Sequence, residues 1–496
     1  MPAARASAAP LPGGSDQSRP TVRCARPRRA ALAFLLVLVA HETPLRAQEP
    51  TTTDTFAARP AKPNVARSLA EIAGLNILIN RVDCDVAHAR DAAGELWACV
   101  TPSVWSRNIR YGWTWDVDAF HTNMFLHPFH GATYFNTGRA NGLDFWEAAP
   151  LAFLGSLMWE YFGETERPSL NDLYNTGFGG VALGEVFHRL GALVRDDRRR
   201  GAGRAFREVA AFPLDPVGTA HRWLGGGFSR VGPNPPDRHP GSLGLVVQAG
   251  GRSADDSVAT RTTTPSVLVD LAYGDPYRRP YDRPFDVFTV RMQVSPDGGG
   301  LNLLQVRGRL WARELTSPTN DDRAIATVNQ RFEYVHTAAY KFGGQSVEAG
   351  LVSGLGFFLG IDVRTEVFAE GLMLGAVDAP RAGIQGSGRT YDFGPGVGAG
   401  GSVSFVVRGA PVLSVAGHWV YLHSVSGSAA DHYVRSTSVE LILPVAREVG
   451  LGAYAGWFHR RSVYAGRPGE TTSFPELRFF VSWQPNRVPP IWEEPQ

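Results

Sequence analysis

The chain has 496 residues, with 49 Lys and Arg against 47 Asp and Glu, for a formal net charge of +2. That length exceeds one ordinary domain, and the near balance of charge supplies no electrostatic footprint for nucleic acid, so no nucleic-acid partner is expected. The mean hydropathy is slightly polar. This excludes a bundle of membrane-spanning helices but not a transmembrane β-barrel, in which alternating apolar and polar residues cancel in the average.

The N-terminus reads as an export signal. Arg23, Arg26, Arg28 and Arg29 precede a compact apolar run, Ala30 to Ala40, and His41 to Gln48 follows with Ala47 as the expected cleavage position. This is the basic, apolar, small-residue order of a secretory signal peptide, and the run is too short to span a bilayer. Cys24 precedes the apolar run, the wrong side for a lipoprotein cysteine. The signal peptide is therefore assigned to residues 1–47 and a Thr- and Pro-rich linker to 48–65. Cys84 and Cys99 remain in the exported chain, fifteen residues apart. Two cysteines in an oxidising compartment commonly pair, and no further cysteine is at hand for a metal site, so a disulfide is expected and no metal or cofactor.

Helical periodicity begins at 66–82 (ARSLAEIAGLNILINRV with its flanks) and the helical domain is assigned to 66–228. Residues 229–242 (SRVGPNPPDRHPGS) hold four prolines and two glycines and mark a domain boundary. Beyond it, residues 243–486 alternate with a period of two. In Leu301–Arg313, Leu304, Val306, Gly308 and Leu310 oppose Gln305, Arg307 and Arg309. In 360–370, Ile361, Val363 and Val367 oppose Asp362, Arg364, Glu366 and Glu370. The segments often reach ten residues or more, longer than the usual ~5–6 of soluble sheets. Aromatics near their ends (Trp419, Tyr421, Trp457, Phe458, Phe479, Phe480, Trp483) suit interfacial girdles. About twelve such segments predict an even-stranded antiparallel barrel of the outer membrane, followed by a tail at 487–496. The fold class is thus α+β multidomain, with a helical domain on the periplasmic side and a barrel in the outer membrane.

Residues 113–191 are the most distinctive part of the chain. They contain HPFHGATYF (127–135), DFWEAAPLAFLGSLMWEYFGE (144–164) and RPSLNDLYNTGFGGVALGEVFHRL (167–190). The order HP-x-x-G-x-x-Y, W-E-Y-x-x-E, P-S-x-N-D-L-x-x-T-x-x-G-G-x-x-x-G-E resembles a bacterial envelope family catalogued only as a domain of unknown function, over roughly 65–230. The resemblance implies a signal peptide and a β-rich C-terminal part, and no reaction.

His127, His130 and Tyr134 stand at i, i+3 and i+7, one helical face. Glu160 and Glu164 are i, i+4 in an apolar context, and Glu185 lies in another apolar stretch. Buried carboxylates need partners or protons. His127, Glu160, Asn171, Asp172 and Glu185 are therefore expected to converge, across the close approach that Gly180 and Gly184 allow. His127, His130, Tyr134, Glu160, Glu164, Asn171, Asp172 and Glu185 form the candidate functional cluster, with structural, binding and catalytic roles all open. The chain has no G-x-S-x-G, H-E-x-x-H or P-loop motif. The function expected first is a non-enzymatic outer-membrane protein whose helical domain gates, anchors or docks. Its partners would be outer-membrane lipid and an envelope protein. The alternatives are an enzyme acting on lipid or lipopolysaccharide through the His/Glu/Asp cluster, and a small-solute channel. Asp196–Glu208 (DDRRRGAGRAFRE) reads as a solvated surface whose arginines can meet lipid phosphates.

Overall fold

A computed structural model describes residues 62–90, 94–234, 240, 242–254, 262–277, 283–296, 300–316, 322–337, 341–357, 360–379, 389–407 and 409–486. The export signal and the C-terminal tail fall outside these residues, as do parts of both linkers.

The C-terminal half is a closed barrel of twelve antiparallel strands, each paired with its neighbours in chain order and β1 with β12. The strands are β1 Leu243–Ala254, β2 Thr262–Tyr273, β3 Phe288–Val294, β4 Leu301–Glu314, β5 Arg323–His336, β6 Lys341–Phe357, β7 Ile361–Asp378, β8 Tyr391–Val407, β9 Ala410–His423, β10 Ala430–Pro444, β11 Val449–Tyr464 and β12 Glu470–Asn486. An even number places the start of β1 and the end of β12 at one rim, called here the chain-end rim. Closure leaves no strand edge, so every backbone donor and acceptor in the wall can pair within it.

The period-two pattern sorts the wall into two faces. Over most of β6 to β12 the outward residues are exposed and apolar, among them Leu351, Val367, Val403, Val439, Leu451 and Val481, while those at the end of β7 and the start of β8 (Ala376, Tyr391, Phe393) are buried against the helical domain. The inward residues carry the charges and pair across the lumen. Arg307 meets Glu348 and Glu366, Arg331 lies 2.8 Å from Glu333 and 3.3 Å from Glu348, and Glu370 lies 2.6 Å from His418. Nearer the rim opposite the chain ends, Val335, Phe342, Leu372, Val377, Val420 and Leu422 pack into an inward apolar cluster. Phe458 packs against that cluster and Phe480 is buried. These two therefore point inward and do not join the interfacial girdle expected of them, because each follows an outward aromatic (Trp457, Phe479) and the pleat alternates.

The helical domain comprises α1 Val65–Arg81, α2 Pro102–Tyr111, α3 His127–Ala140, α4 Phe145–Phe162, α5 Leu170–Tyr174, α6 Gly180–Val194, α7 Gly201–Ala211 and α8 Pro216–Leu224. Wide-turn segments extend α1 over Val82–Val86, lead into α3 over Thr122–Leu126 and join α5 to α6 over Asn175–Gly179. Local sequence sets the helix starts. Asn64 caps α1, Asp144 and Glu147 form a reciprocal capping box on α4, and Ser169 and Asp215 cap α5 and α8. Cys84 and Cys99 are joined in a disulfide with Cα atoms 4.9 Å apart, tying the end of α1 to the segment before α2. No described helix is long and apolar enough to cross a membrane.

The domain does not stack on an end of the barrel. It lies against the outer wall. The outward residues of β2 to β5 (Val269, Leu271, Val290, Met292, Leu304, Val306, Phe332, Tyr334) are buried in one continuous core with Met124, Phe135, Phe145, Val181 and Leu183 of the domain. Phe145 stacks on Phe285 with centroids 5.5 Å apart, and Phe120 stacks on Tyr334 at 5.7 Å. Gln330 of β5 donates to the Phe178 carbonyl at 2.9 Å.

Within the domain, α3 and α6 cross at glycines. A Cβ on Gly180 would lie 2.6 Å from the Gly131 Cα, and one on Gly184 would lie 2.7 Å from the Phe135 ring. Gly131 meets the Thr176 carbonyl with no room for a side chain. Overpacking of this kind typically costs ~1–3 kcal/mol. We expect Gly131→Ala to lower the thermal midpoint of the helical domain, read by protease susceptibility in detergent. The barrel, read by the gel shift between unheated and boiled samples, should keep its wild-type behaviour. An unchanged domain midpoint would show that the α3–α6 approach is looser than described.

Candidate functional site

The polar groups of the domain gather where α3, α5 and the segment 114–123 meet the start of β8. Asn171 is the hub and is fully buried. Its amide nitrogen donates to Asp116 Oδ1 at 2.7 Å, Asn123 Oδ1 at 3.0 Å and Asp172 Oδ1 at 3.0 Å. Its oxygen accepts from the Asp116 backbone N–H at 3.0 Å and from the Ser169 hydroxyl at 2.9 Å. Asn123 donates to Asp116 Oδ1 at 2.8 Å and to the Tyr391 hydroxyl at 2.7 Å, and Tyr391 donates to the Asp118 carbonyl at 2.6 Å. Arg389 donates to the Asp116 carbonyl at 2.7 Å. Barrel residues thus complete a network begun by the helices.

His127 Nε2 lies 3.4 Å from Asp172 Oδ1. Glu160, at the far end of α4, accepts from the Ser169 backbone N–H at 2.6 Å. Four of the five residues expected to converge therefore do: His127 and Asp172 in direct contact, Asn171 beside them, and Glu160 through Ser169.

Glu185 does not join them. It lies 3.0 Å from Arg139 and 2.7 Å from Arg189, and Arg189 lies 2.9 Å from Asp286 in the β2–β3 connection. The apolar context correctly marks Glu185 as buried but does not say which neighbour it finds. Arg139 and Arg189 answer it, clamping α3 and α6 to the barrel. His130 and Tyr134 share a face with His127 but have other partners. Their rings lie 4.6 Å apart, His130 packs edge-on to Trp159, and the Tyr134 hydroxyl donates to Asn76.

Sequence reasoning missed Asp116, Asp118, Asn123, Arg389 and Tyr391. Asp116 and Asp118 lie on an irregular segment with no periodicity to read, Asn123 lies in the short wide-turn segment that leads into α3, and the last two are far along the chain. Among the described residues, Asp116, Asp118 and His127 bring ligand atoms within 4.8 Å of one another. Two carboxylates and an imidazole suit a divalent cation.

Burial dominates the electrostatics. It pushes the Glu160 carboxyl up to about 8, with Asp116 and Glu166 adding to it against the Ser169 N–H. Burial and then Glu160 raise Glu164, and burial and then Asp116 raise Asp172. Asp118 rises to about 7 through burial, Asp116 and Glu166. Burial and then His127 lower His130 to about 3, and burial lowers His127. Burial therefore favours the neutral forms of these carboxyl groups and of the His127 and His130 imidazoles, a set able to donate and accept protons.

A profile of the family described as "Domain of unknown function (DUF3943)" matches residues 112–217. The match covers α3 to α7 and most of the network, and it names no activity. No curated protein matches the chain. Among solved structures, the NanC porin is 10% identical, with 48% of this chain and 98% of that one covered and a TM-score of 0.28. OmpT, an outer membrane protein of Vibrio cholerae, is 7% identical over 49% and 99% of the two chains, with a TM-score of 0.20. The outer membrane protein OpdK of Pseudomonas aeruginosa is 8% identical over 49% and 98%, with a TM-score of 0.19. Likeness at this level carries nothing about what the protein does. The outer-membrane-type barrel rests on its own strand pairing and apolar outer face.

The raised carboxyl groups give a pH dependence with a definite sign. In the unfolded chain Glu160 loses its proton near the ordinary value of 4.5, whereas in the folded domain it keeps it to about 8. Between these values the folded state binds more protons, so stability falls as pH rises. Below about pH 6.5 the lowered His127 and His130 act with the opposite sign, so we expect the thermal midpoint of the domain to decline from pH 7 to pH 8, and Glu160→Gln, which cannot ionise, to show a shallower decline. A wild-type midpoint that is level or rises across that window contradicts the assignment.

Proposed function

We propose that the barrel is a scaffold, not an open pore, and that it holds the helical domain in the lipid beside its wall, in a non-enzymatic anchoring or docking role in the envelope. The observation that carries this is that α1 and α2 bury mainly polar side chains and expose large apolar ones. The buried residues of α1 are Ser68, Ile72, Asn76 and Asn80, while Ile77 and Leu78 are 65% and 61% exposed. Asn108 is the buried residue of α2, and Ile109 beside it is 62% exposed. Trp146, Leu154 and Phe162 project from α4. A water-facing domain has the opposite order. In a bilayer, ionisable and amide side chains turn to the bundle interior and apolar ones to lipid.

The docking site agrees with this. Val290 and Val306 lie mid-strand, and the outward residues of β6 to β12 are exposed and apolar at comparable positions along their strands. A domain that covers the middle of a lipid-facing wall must itself be at bilayer depth. The lumen offers little to a channel. Ion pairs and the inward apolar cluster cross it, leaving a cavity of about 410 Å³ toward the chain-end rim, lined by Asp270, Arg291, Gln305 and Arg307 among others.

A second reading, an enzyme acting on membrane lipid, is favoured by the contact between His127 and Asp172 among carboxyl groups that burial pushes upward. Lipid analysis of a deletion strain complemented with His127→Asn separates the two. A lipid species that changes on deletion and is restored by wild type but not by the variant supports the enzyme.

The scaffold reading is tested in the full-length protein reconstituted into phospholipid vesicles. Ile77→Cys and Leu154→Cys, each carrying an environment-sensitive fluorophore, should show blue-shifted emission that nitroxide-labelled lipid quenches and aqueous iodide does not. Quenching of both by iodide alone places the domain in water and ends this reading.

A further inference from the structure

The hairpin of α7 and α8 carries the inverted order furthest. Its inner face is a network of ion pairs. Arg195 lies 3.1 Å from Asp215, Arg204 lies 3.3 Å from Asp197, and Arg222 lies 2.6 Å from both Asp197 and Glu208. Arg195, Arg204, Glu208 and Asp215 are each no more than 5% exposed. Its outer face is Phe206, Val209, Phe212, Trp223, Leu224 and Phe228, all exposed, with Leu224 88% exposed. Phe212 and Trp223 stack across the two helices with centroids 5.9 Å apart, so the patch is one continuous surface. Exposed Arg198, Arg199 and Arg200 border it at the start of α7.

The fold also sets where this patch lies. Arg189, in the last turns of α6, donates to the Pro284 carbonyl at 2.9 Å and lies over the Tyr273 ring at 5.8 Å. Both belong to the β2–β3 connection and its flank, at the chain-end rim, so α6 delivers α7 and α8 to that rim. By the strand bounds, three of the five strand connections at that rim span four residues or fewer (β6 to β7, β8 to β9 and β10 to β11), against one of six at the other rim. Short turns characterise the periplasmic side of outer-membrane barrels.

We propose that α7 and α8 form an interfacial anchor seated in the phospholipid leaflet at the chain-end rim, with the aromatic and aliphatic patch among the acyl chains and Arg198 to Arg200 among anionic headgroups. This rests on the lipid-embedded reading of the domain, and it adds a depth, a leaflet and a headgroup chemistry. The occupant follows from two features. The patch continues the apolar outer surface of the domain and wall, and its basic border matches the phosphate layer. An amphipathic helix of this composition binds through buried apolar area plus attraction to anionic lipid. A protein partner would leave the patch shielded from lipid.

The test uses the full-length protein with Leu224→Cys carrying the same fluorophore, in vesicles of phosphatidylcholine with or without phosphatidylglycerol. A nitroxide near the headgroup should quench it more strongly than one deep in the acyl chain. Quenching by nitroxide-labelled phosphatidylglycerol should exceed that by labelled phosphatidylcholine by roughly twofold, as expected for a few basic residues at an anionic surface. The excess should vanish in Arg199→Gln/Arg200→Gln. Quenching by aqueous iodide, protection from both quenchers, or indifference to headgroup charge each overturns the anchor. Leu154→Cys keeps the two ideas apart. If Leu154 is quenched by lipid and Leu224 is not, the anchor fails and the lipid-embedded domain stands. If neither is quenched by lipid, the embedded domain fails first.

Discussion

The structure turns on an apolar wall that is covered in two different ways. A closed barrel satisfies its backbone internally, but its outward side chains must still meet something other than water. Around most of β6 to β12 those side chains are left exposed, whereas over β2 to β5, the end of β7 and the start of β8 they are buried beneath the helical domain in a single continuous core. Most of the domain's arrangement follows from that second contact. The helices pack against valine, leucine and aromatic side chains, so their apolar residues serve two outer surfaces, one against the wall and one facing away. Polar residues share the interior with Leu151, Leu183 and Leu190, and gather there into networks of their own.

That partition makes the interior network costly unless each member is matched. Buried amides and carboxyl groups lose their water, and an unmatched one costs about 1–3 kcal/mol. Asn171 meets this demand by bonding to Asp116, Asn123, Asp172 and Ser169 at once. The carboxyl groups meet it partly by keeping their protons, as burial drives Glu160 and Asp172 upward. The ion pairs under α7 and α8 and the Arg139–Glu185–Arg189 clamp meet it with opposite charges instead. The same interior therefore has a half where burial pushes carboxyl groups upward and a half where charges are paired. The first lies against Tyr391 and Arg389, the second toward the chain-end rim.

Tyr391 and Arg389 also show why the two halves of the chain act as one unit. Both belong to the barrel part of the sequence, yet they complete the hydrogen bonds of Asp116, Asp118 and Asn123. Separating the helical domain from its barrel would expose Phe332 and Tyr334 on the wall and leave Asp116, Asp118 and Asn123 of the domain short of partners.

Much of this was legible in the residues alone. Period-two alternation over long segments gives the barrel, because a strand that separates two environments must alternate, and it correctly assigns Arg307, Glu366 and Glu370 to the lumen. Helix caps at Asp144 and Ser169, the Gly180 and Gly184 approach and the pairing of Cys84 with Cys99 depend on near neighbours or on composition. Burial of Glu160 and Glu185 follows from apolar context. What context does not carry is direction. Glu160 and Glu185 look alike in sequence, yet one joins the Asn171 network and the other a pair of arginines, because helix rotation and crossing decide which donor is within reach. Phe458 and Phe480 face inward for a similar reason, since strand register assigns the face and aromatic character does not. The docking of the domain on the wall is likewise a tertiary decision. An outward valine on β3 and one on β10 have the same pattern in sequence, and only the packed structure shows that one is covered by helices and the other is not.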